Sequence, residues 1–324
     1  MATNSHTNPP ILNVVASSAR QLFLLLRCIS FSSKAQVEIR PEGLRFTVEE
    51  SRTIQGLAFL DKALFTSYSY HESAPADQED EEPDPVIFQI SLPALLETLQ
   101  IFNIDTFSRS NHQNPGLLSN RPSAFSPQSL GTTNMCRLSY EALGSPLQLI
   151  MTEAGVTTTC NLSTYEPEFI EEIPIQKSDL AYKIILKSSL LHDALQELSS
   201  TSPTRLSIVI SPQAPFFALS SSGPLGSATV EFTKDPSLLE TFIVPRRTVN
   251  TYKYAMVKSA VRAMALANKV SVRGDEQGVM SLQFLIEGEG ANGTPTFIDF
   301  RFVPFLGEDG DEDCEEDGVD AEFV

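Results

Sequence analysis

Between residues 17 and 31, "SSARQLFLLLRCISF", apolar side chains recur at helical spacing: Leu22, Leu25, Leu26 and Ile29. At about 100° of rotation per residue these four share one face, and Arg20 and Arg27 fall on the opposite one. The run 188–200, "SSLLHDALQELSS", repeats the pattern, with Leu191, Ala194, Leu195 and Leu198 each 169 residues after its counterpart. A third helix is predicted over "SLPALLETLQIF", 91–102, with Ser91 as N-cap and Pro93 in the first turn. A fourth is predicted over 253–265, "KYAMVKSAVRAMA", where Met256, Val257, Ala260, Val261 and Met264 cluster and Lys258 and Arg262 sit across from them.

Between these helices the period drops to two. "AQVEIRPEGLRFTVEES" and "RLSIVISPQAPFFALSSS" are alternating runs broken by turn residues, the grammar of β-hairpins. "CRLSYEAL", "LQLIMTEA" and "VTTTCNLS" close the first half of the chain, as "KVSVRGDEQGVMSLQFLIEGEG" and "TFIDFRFVPF" close the second. Pro41 and Pro212, in the two hairpin turns, lie 171 residues apart, a two-residue change in the helix–strand loop. One helix-on-sheet unit written twice is the simplest account, an α+β chain with an antiparallel sheet and two helices per unit. The expected organisation is a flexible start at 1–10, a first domain at 11–162, a connector at 163–180, a second domain at 181–306 and a tail at 307–324. Residues 103–134, rich in Ser, Asn and Pro and without periodicity, are expected to form an inserted loop.

Charge changes this picture because it is unevenly spread. The net charge is −18, yet 308–324 carries ten acidic residues and no Lys or Arg, and 71–84 carries seven and none. Like-charge blocks of this kind repel themselves and bury little, so the acidic loop at 71–85 and the tail are expected to be solvated, serving at least solubility. The remaining chain is nearly neutral and can carry local positive patches. Nothing acidic on the first or fourth helix offsets Arg20 and Arg27, or Lys258 and Arg262, so a polyphosphate is a natural counterion for those faces. The other two helices present Glu97, or Asp193 and Gln196, instead; a continuous positive lining cannot come from this chain alone.

Catalytic signals are missing from the pattern. Cys28, Cys136, Cys160 and Cys314 form no CxxC pair, and His6, His71, His112 and His192 have no metal-ligand spacing with them. Glu38, Asp61, Glu141, Glu287 and Asp299 stand singly on strands, whereas two-metal cleavage needs carboxylates converging on cations about 4 Å apart. There is no P-loop, no Gly-rich dinucleotide turn and no GxSxG, and no motif for a cofactor. The sequence has no apolar run of about 18 residues, the length a membrane-spanning helix requires, and "MATNSHTNPP" lacks the basic and apolar regions of a secretory signal.

The runs "EGLRFTVEES", "LLETLQIF", "VEFTKDPSLLETF", "VNTYKYAMVKSAVRAMALANKVSVR" and "MSLQFLIEGE" resemble the DNA sliding clamps (the proliferating cell nuclear antigen-like family), and more closely the Rad-one subunit family of the heterotrimeric checkpoint clamp, the nine-one-one complex. The likeness spans roughly 11–102, 135–200 and 204–305. It implies a nuclear, non-catalytic subunit that joins two paralogous subunits in a ring, is placed by a clamp loader, encloses double-stranded DNA without sequence specificity and scaffolds checkpoint and repair proteins. In that setting the helices line a concave hole, and Arg20, Arg27, Lys258 and Arg262 would meet phosphates. It further implies peptide docking at the connector, with Phe169, Ile170 and Ile173, and at the final strand end, with Val303, Pro304 and Phe305; packing in an ordinary core is the other reading of these six. Family members have also been described as 3′→5′ exonucleases, and a homotrimeric replication clamp is a further alternative.

Overall fold

The computed structural model describes residues 9–71, 85–110, 135–153, 156–176, 179–288 and 295–305. The first half runs β1 (Leu12–Ala16), α1 (Ala19–Cys28), β2 (Lys34–Arg40), β3 (Gly43–Glu50), β4 (Ile54–Asp61), β5 (Phe65–Tyr70), β6 (Val86–Ser91), α2 (Leu92–Ser110), β7 (Cys136–Tyr140), β8 (Leu147–Glu153) and β9 (Val156–Leu162), followed by the two-residue β10 (Thr164–Tyr165). The second half runs β11 (Leu180–Lys187), α3 (Ser188–Leu198), β12 (Arg205–Ile210), β13 (Phe217–Gly223), β14 (Gly226–Phe232), β15 (Leu239–Ile243), β16 (Thr248–Lys253), α4 (Tyr254–Lys258), α5 (Val261–Leu266), β17 (Lys269–Asp275), β18 (Met280–Ile286) and β19 (Thr296–Phe302). The class is α+β, as the patterning implies.

Sheet order repeats as well as element order. In the first half the strands pair as β5-β1-β7-β8-β9 and as β6-β2-β3-β4; in the second, as β15-β11-β17-β18-β19 and as β16-β12-β13-β14. One pairing joins the halves: β4 runs antiparallel to β19, with Gly56 opposite Phe300 and Gln55 opposite Arg301, which merges two of these sheets into one of ten strands. On one face of this seam Phe31 and Phe284 pack against Phe300, with ring centroids 6.1 and 5.9 Å away. Gly56 permits that approach, because a Cβ there would lie 2.8 Å from the Phe31 ring.

The helices form one row. α2 packs on α1, α1 on α5, and α5 on α3, so elements of both halves meet at the α1–α5 contact. Ser18 caps α1 by accepting from the Gln21 N–H at 3.1 Å, and Leu22, Leu25, Leu26 and Ile29 are buried as the periodicity requires. Leu191, Ala194, Leu195 and Leu198 are buried on α3 in the same way. Ser91 precedes α2 and its Oγ accepts from the Ala94 N–H, with Pro93 in the first turn.

Two helices depart from the sequence reading. α2 continues to Ser110, so the first eight residues of the expected 103–134 loop are helical; no Pro or Gly interrupts 94–114, and composition alone obscured this. The fourth helix is not continuous. Residues up to Lys253 belong to β16, and the remainder breaks into α4 and α5 where Ser259 and Ala260 bond back three residues, to Met256 and Val257. Ser259 Oγ also donates to the Ala255 carbonyl, a bond that bends helices. β5, β15 and β16 were not legible as strands, since hydroxyl-rich segments such as "FTSYSY" lack apolar alternation. Positions 1–8, 72–84, 111–134 and 306–324, which hold most of the expected flexible start, acidic loop, insertion and tail, lie outside the described residues.

Candidate nucleic-acid interface

α1 and α5 carry the residues that the charge pattern singled out. Arg20 is exposed on the first turn of α1, Arg27 on its last turn, Lys258 at the end of α4 and Arg262 in the first turn of α5. The structure brings Arg262 of the second half against the turn that follows Arg27 in the first. Arg262 Nη1 donates to Ser30 Oγ at 2.7 Å, and Ser30 Oγ donates to the Arg27 carbonyl at 2.9 Å. Both guanidiniums bear on the Cys28 thiol between them: burial pushes it up to about 12, and the Arg262 and then the Arg27 charge draw it back. The Arg27 guanidinium lies 5.7 Å from the Phe23 ring centre, which steadies it over α1. No ion pair among the described residues involves Arg27, Lys258 or Arg262. This arrangement offers hydrogen-bond donors and positive charge, without base-reading geometry, to an extended polyanion.

The connector residues are held quite differently. Ile173 is buried at 7% exposure on the opposite face of the β4–β19 seam. Its N–H donates to Gln55 Oε1 at 3.1 Å, its carbonyl accepts from Arg301 Nη1 at 2.6 Å, and Gln55 Nε2 donates to the Glu171 carbonyl. Glu172 then bridges Arg45 of β3, at 3.2 Å, and Arg301 of β19, at 2.7 Å. Burial pushes the Glu172 carboxyl up, but the Arg45 and Arg301 guanidiniums together outweigh it and hold the group below the usual carboxylate range. The chain of charges continues outward: Glu38 pairs with Arg40 and Arg45, and Asp299 with Arg301 and Arg273. Glu38 and Asp299, taken from the sequence as lone carboxylates, are thus already committed to guanidiniums.

Of the six residues expected to dock peptides, Phe169 projects into solvent at 88% exposure, Ile170 is half-buried and Ile173 is the pinned residue just described. Val303, Pro304 and Phe305 form a separate feature. The Val303 N–H donates to the Thr53 carbonyl and the Phe305 N–H to the Thr251 carbonyl, so the segment runs between the β3–β4 turn and β16. A cleft of about 280 Å³ opens there, walled by Phe302–Phe305 with Ser51, Thr53, Tyr252, Lys253 and Met256. Arg205 lies 5.1 Å from the Phe305 ring centre. No described connector residue lines this cleft, so among the described residues the two groups are not joined into one surface.

Sequence reasoning missed Gln55, Arg45, Glu172, Arg301 and Ser30. Only the alternation of Asp299 and Arg301 between buried Ile298, Phe300 and Phe302 hinted that charge was needed inside a sheet. Among the described residues, no cluster of three or more His, Cys, Asp or Glu is gathered as metal ligands would be, and no helix is long and apolar enough to cross a membrane.

A family model described as repair protein Rad1/Rec1/Rad17 matches residues 11–286. The chain is 34% identical over 286 residues to the DNA damage checkpoint control protein rad1 of Schizosaccharomyces pombe, covering 88% of this chain and 84% of that protein. It is 32% identical over 294 residues to the cell cycle checkpoint protein RAD1 of Homo sapiens, covering 90% and 92%. It is also 25% identical over 292 residues to the DNA repair exonuclease REC1 of Mycosarcoma maydis, covering 69% and 63%.

Proposed function

The chain belongs to the Rad1/Rec1/Rad17 repair-protein family, and from that premise we propose that it is a non-catalytic subunit of a heterotrimeric clamp that encircles duplex DNA in the nucleus. Relatives that share most of its length are named as checkpoint control proteins, and a role in the DNA damage checkpoint follows from that kinship. The observation that carries the clamp reading is the single helix row α2–α1–α5–α3, in which Arg27 and Arg262 from different halves meet at one contact. In the ring this row faces the hole, and Arg20, Arg27, Lys258 and Arg262 hold phosphates without reading bases.

Each half, 11–162 and 181–306, is then one clamp domain, and the 163–180 connector is the strap that Gln55 and Arg301 fasten over their seam. The exposed edges β9 and β14 are the counterparts of β19 and β4, which pair within the chain. They supply the two ends of a head-to-tail contact that closes a ring with two paralogous subunits. A clamp loader would open and place it, and checkpoint and repair proteins would dock on the exposed Phe169 and on the cleft beside Phe305.

The test is topological. The full chain, mixed with its two paralogues, a clamp loader and ATP, is expected to remain on nicked circular DNA and to leave when the circle is cut. Equal retention on circular and linear DNA would reject encirclement. Light scattering of the isolated chain is expected to give a monomer; a trimer would favour a homotrimeric clamp. The name of the Mycosarcoma maydis relative favours a second reading, a 3′→5′ exonuclease. Divalent-metal-dependent digestion of a labelled strand, lost on changing one carboxylate cluster, would establish it. Here Glu38 and Asp299 are bound to arginines, which leaves neither available to a metal pair.

A further inference from the structure

We propose that Ser30 is a phosphorylation site whose phosphate would occupy the seat between Arg27 and Arg262 and withdraw both from DNA. The inference rests on the proposed DNA-facing role of this wall and adds its regulation. Three observations carry it. Ser30 lies in the turn that follows α1, half-buried, with Arg27 three residues before it, the position at which basophilic protein kinases recognise a guanidinium. Its hydroxyl already stands 2.7 Å from Arg262 Nη1, so a terminal oxygen on Oγ would reach that guanidinium without a shift of either helix. The third is that Arg27 and Arg262, though both bear on Cys28, have no carboxylate partner among the described residues, so the seat for an anion is open.

In the step itself a nucleoside triphosphate held by the kinase passes its γ-phosphoryl group to Ser30 Oγ, the hydroxyl proton goes to the kinase's own catalytic carboxylate, and the nucleoside diphosphate departs. The ester oxygen can no longer donate to the Arg27 carbonyl, which costs one hydrogen bond. In exchange the dianion accepts charge-assisted bonds from Arg262, and the Arg27 guanidinium, which rests over the Phe23 ring, has to swing toward it to join them. The negative end of α1 opposes a phosphate placed at its C-terminus, but that end acts as a fraction of one charge while the arginines supply two whole ones. Both halves contribute to the seat, so phosphorylation also adds a tie across the α1–α5 contact. Ser32 and Ser33, with Ile29 and Ser30 three residues before them, lack the recognition arginine and serve as internal controls.

The experiment has two arms. The full chain is incubated with a basophilic kinase and ATP and mapped by mass spectrometry. Phosphate is expected on Ser30, lost in Ser30→Ala and strongly reduced in Arg27→Ala; absence of Ser30 modification, or its persistence at full level in Arg27→Ala, overturns the proposal. In the second arm, melting of the free chain is compared for Ser30→Glu and Ser30→Gln. The Glu variant is expected to melt higher at low salt, by a margin that shrinks with added salt and vanishes in an Arg262→Ala background. Equal melting of the two variants overturns the seat. Neither readout involves DNA, so failure of the clamp reading would show in DNA retention alone and leave both unchanged.

Discussion

At the scale of single residues the molecule uses arginine in two opposed ways. Arg27 and Arg262 are exposed and without a carboxylate among the described residues, while Arg301 is buried and held by Asp299, Glu172 and the Ile173 carbonyl. The first pair was legible in the sequence because helical periodicity alone places Arg27 opposite Leu22, Leu25 and Leu26. The second was not, because its partners come from β3, β19 and the connector, which only the folded sheet assembles. Each use makes a distinct expectation. In the assembled clamp, Arg27→Ala and Arg262→Ala should each weaken retention on DNA of any sequence and lower the slope of log affinity against log salt by about 1. An unchanged slope would remove that residue from the phosphate contacts. For Glu172 the folded carboxyl titrates below its unfolded value, so its stabilising effect is complete above the unfolded value, about 4.3, and is lost as pH falls through the lower folded one. The melting temperature of the wild type should therefore exceed that of Glu172→Gln at pH 7, with the gap closing below about pH 4. A gap of constant width down to pH 3 would mean that Arg45 and Arg301 do not act through the ionised carboxylate.

At the scale of elements the repeat supplies its own control. α1 and α3 begin at positions 169 residues apart, and their buried stripes match except where buried Cys28 corresponds to exposed Glu197, which is why both were readable from spacing. They differ at the cap. Ser18 accepts the Gln21 N–H, whereas Lys187 at the same position of α3 has extended backbone and no side-chain cap bond. Lys187 also stands opposite Lys269 in the β11–β17 ladder, though Glu240 neutralises that ammonium at 2.7 Å. Ser18→Ala should cost about 1 kcal/mol, and Lys187→Ser should recover a similar amount. Urea denaturation with unchanged slope would measure both; a loss of stability in Lys187→Ser would show that its aliphatic stem is needed against the sheet. The break between α4 and α5 was illegible for the opposite reason. Its apolar spacing runs on without a gap, while at the break the Ser259 and Ala260 N–H groups turn to carbonyls three residues back and the Ser259 hydroxyl bonds to Ala255. Pattern reports which face is buried and says little about whether the backbone beneath it is continuous.

At the scale of the whole molecule the repeat was legible as a pair of offsets, but the seam that makes it useful was not, since β4 and β19 are more than two hundred residues apart and their pairing leaves no local trace. Following the ladders strand by strand, Phe300 of β19 corresponds to Cys160 of β9, and Gly56 of β4 to Ala228 of β14. The seam sets a large side chain against a glycine; the counterparts set a medium one against another small residue, which preserves the fit. Yet among the described residues β9 and β14 have no partner on their outer sides, and Val156 at the start of β9 is 66% exposed, with Leu225 beside β14 at 74%. Long open edges of this kind are aggregation hazards unless something pairs with them. In the proposed ring each neighbour does, repeating between chains the contact that β4 and β19 make within one. Replacing Val156 and Thr158 together by Asp puts two like charges on an edge that no described strand covers. Melting of the isolated chain should change little, since exposed substitutions usually stay within about 0.5 kcal/mol. Assembly with the subunit that takes β9 should be lost on gel filtration, while the contact made through β14 survives, leaving a dimer where the wild type gives a trimer. A full trimer from this variant would show that β9 is not a ring edge, and the equivalence drawn from the internal seam would then describe the ancestry of the fold rather than its assembly.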